Sequence, residues 1–293
     1  MALLMSCSMD INGGRSNSKA VTQGDISKST VKKSINIAAF SKIEASSGIQ
    51  VIFTQGKFTG TAEVQMTPTA EKYFKIEVAD GVLELSYQDN RKEKINGPTI
   101  VKVQAPELTS IDLSSASNVT VNGNLKVGNK LDIDLSSASS VTASDISGIK
   151  IDIDLSSASS VNLGNLNLNK LDIEQSSSSE CVIGKVTAVN MGVDLSSAAK
   201  CVISGFNGTL IDTEASSGSS IKIAGIVAET VKAEASSGAG ITLQGESGKA
   251  FVESSSGGSV DTRQLKTNVS SVKNTTESSS SPTSSGMTMP REP

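Results

Sequence analysis

Histidine and tryptophan are both absent from this 293-residue sequence. Without His there is no Ser-His-Asp or Cys-His nucleophile and no His-based zinc or iron site. Aromatic residues make up 3% of the chain, two Tyr and six Phe, so the usual stacking platforms for bases and sugars and the usual interface anchors are missing. The 26 basic and 30 acidic residues leave a net charge of −4, with no basic excess to neutralise a phosphate backbone. Nucleic acid is therefore not an expected partner. The hydrophobic share, glycine excluded, is 37%, and no stretch approaches the ~18 apolar residues of a membrane-spanning helix. The three cysteines, Cys7, Cys181 and Cys201, are odd in number and show no CxxC spacing. That excludes a disulfide framework and a tetrahedral cysteine zinc cluster.

What the chain does have is serine in phase. A Ser-Ser pair followed by Ala, Ser or Gly begins at Ser136, Ser156, Ser176, Ser196, Ser216 and Ser236, a step of 20 residues each time. Ser114, Ser255 and, across an insertion, Ser46 extend the series to nine units. The flanking positions repeat as well. Leu131, Ile151, Leu171, Met191, Ile211 and Val231 stand five residues before the pair, and Ile111, Ile133, Ile153, Ile173 and Val193 stand three before it. Val119, Val141, Val161, Cys181, Cys201, Ile221 and Ile241 stand five after its first serine. Apolar residues at period two mark strands with one buried side. Each unit holds three such short strands separated by Ser, Gly and Asn turns, and no stretch is apolar at helical spacing for three turns.

Three strands per unit, each stacked on its equivalent in the next, describe a parallel β-helix whose coils touch only their neighbours. An antiparallel sandwich does not explain a 20-residue unit with an odd number of strands. The hexapeptide repeat of the left-handed form is missing and coil length varies, so the expected fold is all-β, a right-handed parallel β-helix of about nine coils, roughly 43 Å long at about 4.8 Å per coil. The domain is expected over 35–262. Within it, 57–105 differs in composition, alternates, and carries the hairpin turn Asp80-Gly81, which reads as an antiparallel cap. Residues 8–34 read as a polar linker and 263–293 as a disordered Ser/Thr-rich tail. Residues 1–7 end in Leu4-Met5-Ser6-Cys7, which resembles a truncated lipoprotein signal with Cys7 as the lipidated residue.

Three sets of residues invite a role. The second serines of the pairs, Ser137, Ser157, Ser177, Ser197, Ser217 and Ser237, are expected to point inward and form a hydrogen-bonded corner ladder. Two residues before each pair stands an acid: Glu44, Asp112, Asp134, Asp154, Glu174, Asp194, Glu214, Glu234 and Glu253. Asp132, Asp152, Asp172 and Asp212 add a second outward column, with Lys130, Lys150 and Lys170 beside it. Carboxylates about 4.8 Å apart repel by roughly 0.9 kcal/mol even in water. One expectation is that Asp132, Asp134, Asp152, Asp154, Asp172, Glu174, Asp194, Asp212 and Glu214 bind calcium; the simpler reading is a solvated face that keeps the rod soluble. No DxDxDG loop is present, and no other cofactor is expected. Cys181 and Cys201 share one inward slot on adjacent coils and read as packed free thiols, with a disulfide as the alternative.

Taken in order, Phe40-Ser41-Lys42-Ile43-Glu44-Ala45-Ser46-Ser47-Gly48-Ile49-Gln50-Val51, then Asp80-Gly81-Val82-Leu83-Glu84-Leu85, then Val101-Lys102-Val103-Gln104-Ala105-Pro106-Glu107-Leu108 running into Ile111-Asp112-Leu113-Ser114-Ser115 resemble the auto-transporter adhesin head, or GIN, domain. The resemblance covers about residues 35–260. It implies a right-handed β-helix in a secreted or lipid-anchored envelope protein, mostly of Bacteroidetes, and brings no catalytic residues. The expected function is thus a non-enzymatic envelope protein, an outer-membrane lipoprotein or a secreted one. It would act as an adhesin or scaffold toward glycan or another envelope component, touching membrane only through a lipid. The alternative is a glycan-active β-helix lyase or hydrolase using paired acids such as Asp132 and Asp134.

Overall fold

A computed structural model describes residues 30–89 and 93–275. It is all-β, with 67% strand and 2% helix, wound into a parallel solenoid of about eight turns. The acid-bearing strands stack in register as one sheet. β2 (Lys42–Ala45), β8 (Ser110–Leu113), β11 (Lys130–Leu135), β14 (Lys150–Leu155) and β17 (Lys170–Gln175) follow one another, so that Ile43, Ile111, Ile133, Ile153 and Ile173 form one buried column. A second sheet begins after the serine corner with β3 (Ile49–Gln55), β9 (Asn118–Asn122), β12 (Ser140–Ala143) and β15 (Ser160–Leu163). Short third strands, β10 (Leu125–Lys126), β13 (Ile146–Ser147) and β16 (Leu166–Asn167), complete each coil.

From Glu180 onward the three segments fuse. β18 (Glu180–Leu195), β19 (Lys200–Ala215), β20 (Ser220–Ala235) and β21 (Gly240–Ser255) are each 16 residues, interrupted only at the serine corner. In the third segment Phe206 fills the core, fully buried, and two residues on Gly208 passes so close to the carbonyl of Ala188 that a Cβ there would overlap it.

The corners depart from simple alternation. The second serine of each pair, Ser137, Ser157, Ser177, Ser197, Ser217 and Ser237, is exposed with φ between 51° and 54°, and the residue after it is also left-handed. Two consecutive left-handed residues turn the chain and advance its phase, so the inward position falls two residues later than the strand pattern predicts. The buried hydroxyl ladder is therefore made by Ser117, Ser139, Ser159, Ser179 and Ser219. Each donates to a carbonyl of the preceding coil: Ser117 to Ala45 at 2.8 Å, Ser139 to Leu113 at 3.0 Å, Ser159 to Leu135 at 3.1 Å, Ser179 to Leu155 at 3.3 Å and Ser219 to Leu195 at 3.0 Å.

The insertion is a cap of mixed direction. β4 (Thr61–Met66) runs antiparallel to β1 (Val31–Asn36) and to β7 (Thr99–Ala105), and β5 (Phe74–Ala79) forms a hairpin with β6 (Val82–Tyr87) around Asp80-Gly81. Yet β6 lies parallel on β2 and β7 parallel on β3, which adds a rung ahead of the first serine unit. A buried bond of 2.6 Å from the Tyr87 hydroxyl to Thr99 Oγ1 ties the two halves of that rung together. One turn of helix, α1 (Pro68–Glu71), bridges β4 and β5, capped by Thr67 Oγ1 accepting from the Ala70 amide.

Both domain edges move outward from those expected. Residues 31–34 of the expected linker belong to β1, and 263–275 of the expected tail lie in β22 (Ser259–Thr275), a further rung paired along its length with β21. The segment 1–7 with Cys7, the rest of the linker to residue 29, and 276–293 lie outside the described residues.

Candidate functional site

Strand alternation that buries Ile133 and Leu135 sends Asp132 and Asp134 outward, and the strict register repeats this on every coil. One column accordingly runs Glu44, Asp112, Asp134, Asp154, Glu174, Asp194, Glu214, Glu234 and Glu253. The cap lengthens it, because Glu84 pairs with Glu44 and Glu77 of β5 pairs with Glu84. At the far end Lys273 pairs with Glu253 and reaches its carboxylate at 3.5 Å. Glu84 was legible in the sequence, since Leu83-Glu84-Leu85 copies the apolar-acid-apolar phase of the units. Glu77 was not, because only the hairpin register brings it into line.

The second column is different. Lys130 bridges Asp132 at 2.5 Å and Asp152 at 2.7 Å, Lys150 bridges Asp152 at 2.9 Å and Asp172 at 3.3 Å, and Lys170 holds Asp172 at 2.8 Å. Further along, Lys232 approaches Asp212 at 3.6 Å. Between them Gly192 takes the place of an acid. Among the described residues these lysines serve the Asp132, Asp152, Asp172 column, and the first column meets a lysine only at Glu253.

Electrostatics follow that division. Burial, then the neighbouring carboxylates of Asp154 and Asp112, push Asp134 up to about 6. Burial and like-charged neighbours also raise Glu44 and Glu214. Asp152 moves the other way, since hydrogen bonds from Lys130 and Lys150 outweigh its partial burial and hold it below the ordinary carboxylate value.

Two shallow grooves flank the first column. One, of about 400 Å³, lies between Asp134, Asp154, Glu174 and the corner serines Ser136, Ser156 and Ser176. The other, of about 530 Å³, lies between the two acidic columns and includes Gly192, which presents no side chain among Asp172, Glu174, Asp194, Asp212 and Glu214. The carboxylates run in files. Among the described residues no three His, Cys, Asp or Glu side chains converge to enclose a metal ion.

Away from this face, Cys181 and Cys201 stack in register, buried and free. Contact with Cys201 and complete burial hold the Cys181 thiol well above its ordinary value, in its protonated, unreactive form. Gln175 occupies an inward slot that holds Leu on the coils before and after. It is 4% exposed, with neither amide atom hydrogen-bonded. Nothing in the periodicity announces it except the break in the leucine series.

No curated protein matches the chain. Among solved structures, a "putative lipid binding protein" from Parabacteroides distasonis has a TM-score of 0.62 at 14% identity over 84% of this chain and 97% of its own. A "putative adhesin" from Parabacteroides merdae has a TM-score of 0.60 at 19% identity over 84% and 96%. At these identities the likeness establishes the solenoid. Family membership comes from the sequence itself: residues 39–204 and 191–286 match the family described as "Putative auto-transporter adhesin, head GIN domain", and the chain belongs to it.

Proposed function

We propose that this protein is a non-enzymatic adhesin or scaffold at the bacterial cell surface, secreted or held by a lipid on Cys7, that binds its ligand along the acidic face. The observation that carries this reading is the first column of carboxylates beside two long grooves. An elongated, regular, single-sign surface suits an extended partner better than a small substrate. Its charge calls for cationic groups on that partner, an amine-bearing glycan or a lysine-rich envelope protein, or for calcium placed between rungs as a shared counter-ion. Family membership supports the surface location and the adhesin role.

The enzymatic alternative fits the acidic face less well. A general acid is normally a single exception in its site, whereas the upward shift at Asp134 recurs at Glu44 and Glu214 of the same file.

The test is an array of amine-bearing, neutral and sulfated glycans and basic peptides, read for binding and cleavage in parallel, with and without millimolar calcium. Retention of cationic ligands, lost in an Asp134→Asn, Asp154→Asn, Glu174→Gln variant, is expected. Cleavage of any glycan, or binding that survives the triple change, overturns the reading. Labelled palmitate incorporated by the chain but not by Cys7→Ser checks the anchor.

A further inference from the structure

The rod has two unlike ends. At one, β5 pairs only with β6 and β1 only with β4; at the other, β22 pairs only with β21, so among the described residues each keeps one unpaired edge. An edge of this kind is a template for another strand. We propose that the occupant is a second copy of this chain, docking head to tail so that β22 of one rod pairs antiparallel with β5 of the next.

Three observations select that partner. The first is register. Val78 of β5 lies opposite Leu83, and from Leu83 the pairing runs through Ile43, Ile111 and onward to Val252 and Val272; Val78 and Val272 are the two ends of one buried column. The second is exposed apolar surface at that column's end, because Val272 is 60% exposed while Val252 beneath it is 4% exposed. The third is charge. The adjacent outward column begins at Glu77 and ends at Lys273, so a straight junction that sets Val272 against Val78 also sets Lys273 against Glu77 of the second copy. The pairing repeats the register already used by β5 on β6, where Val78 and Glu77 meet Leu83 and Glu84. In this register residues 271–275 of β22 lie along residues 75–79 of β5. Unlike ends joined this way generate an open linear assembly and not a closed dimer.

Sedimentation velocity of the full chain tests the proposal. Above a threshold concentration the mass is expected to climb from 30.1 kDa through elongated oligomers without stopping at two copies. Lys273→Glu and Glu77→Lys, both at exposed positions, each weaken association about tenfold or more, and the double charge swap restores it. Circular dichroism confirms that the single variants remain folded. A full chain that stays at 30.1 kDa up to millimolar concentration overturns the proposal, as do single variants that assemble like the parent or a double swap that stays dissociated.

Discussion

Asp134 illustrates how a single residue inherits its chemistry from the lattice around it. Its folded value of about 6 exceeds the ordinary 3.8, so the folded chain holds a proton more tightly than the unfolded chain. The stabilisation from that proton is complete below the unfolded value and is lost as pH rises through about 6. Discounted for the solvent exposure of the side chain, Asp134→Asn should stabilise the protein by about 1 kcal/mol at pH 7 and by little at pH 4, read by thermal melts at both. Gln175 gives a second expectation. An amide buried without partners costs about 1–3 kcal/mol, so Gln175→Leu, matching Leu155 and Leu195 of the adjacent coils, should raise the melting temperature. A variant no more stable than the parent would mean that the amide is satisfied by water. Neither effect was legible in the sequence. The acids were visible one by one, but which would lack a lysine depended on side-chain reach, and a lone Gln in a leucine slot shows only as a break in that series, which does not disclose whether its amide finds a partner.

Strands and corners differed in how much the sequence disclosed. The strands were legible because burial of one side imposes period two, and Ile111, Ile133, Ile153 and Ile173 hold that phase over steps of 22, 20 and 20 residues. Corners were not, because two successive left-handed residues shift the phase without any apolar residue to record it. The expectation that Ser137 points inward fails there, and Ser139 takes the buried place. Substituting each in turn separates the two roles. Ser139→Ala removes the bond to the Leu113 carbonyl and should cost about 1 kcal/mol, while Ser137→Ala at the exposed apex should fall within about 0.5 kcal/mol of the parent in denaturant melts. The cap was half legible for a related reason. Alternation and Asp80-Gly81 announced the hairpin, but the parallel pairing of β6 on β2 and β7 on β3 depends on contacts between segments distant in sequence.

At the scale of the molecule, stability in a solenoid is approximately a sum over coils and their interfaces, so it is lowest at an uncovered end. Hydrogen exchange should therefore show strong protection in β14 and β17, which have a coil on either side, and weak protection in β22, which has one. Equal protection along the rod in dilute solution would contradict this. Overall architecture was the most legible level of all, because a phase kept across nine units leaves few topologies open. The in-register stacking has one more consequence. Loss or duplication of one 20-residue unit between Lys130 and Leu155 joins Leu to Leu or Ile, Asp to Asp or Glu, and corner to corner, with both ends of the molecule untouched and Gln175 still stacked on a leucine. The rod is in effect a ruler whose length can be reset in increments of about 4.8 Å by a single in-frame recombination event, which makes reach its most readily evolved property.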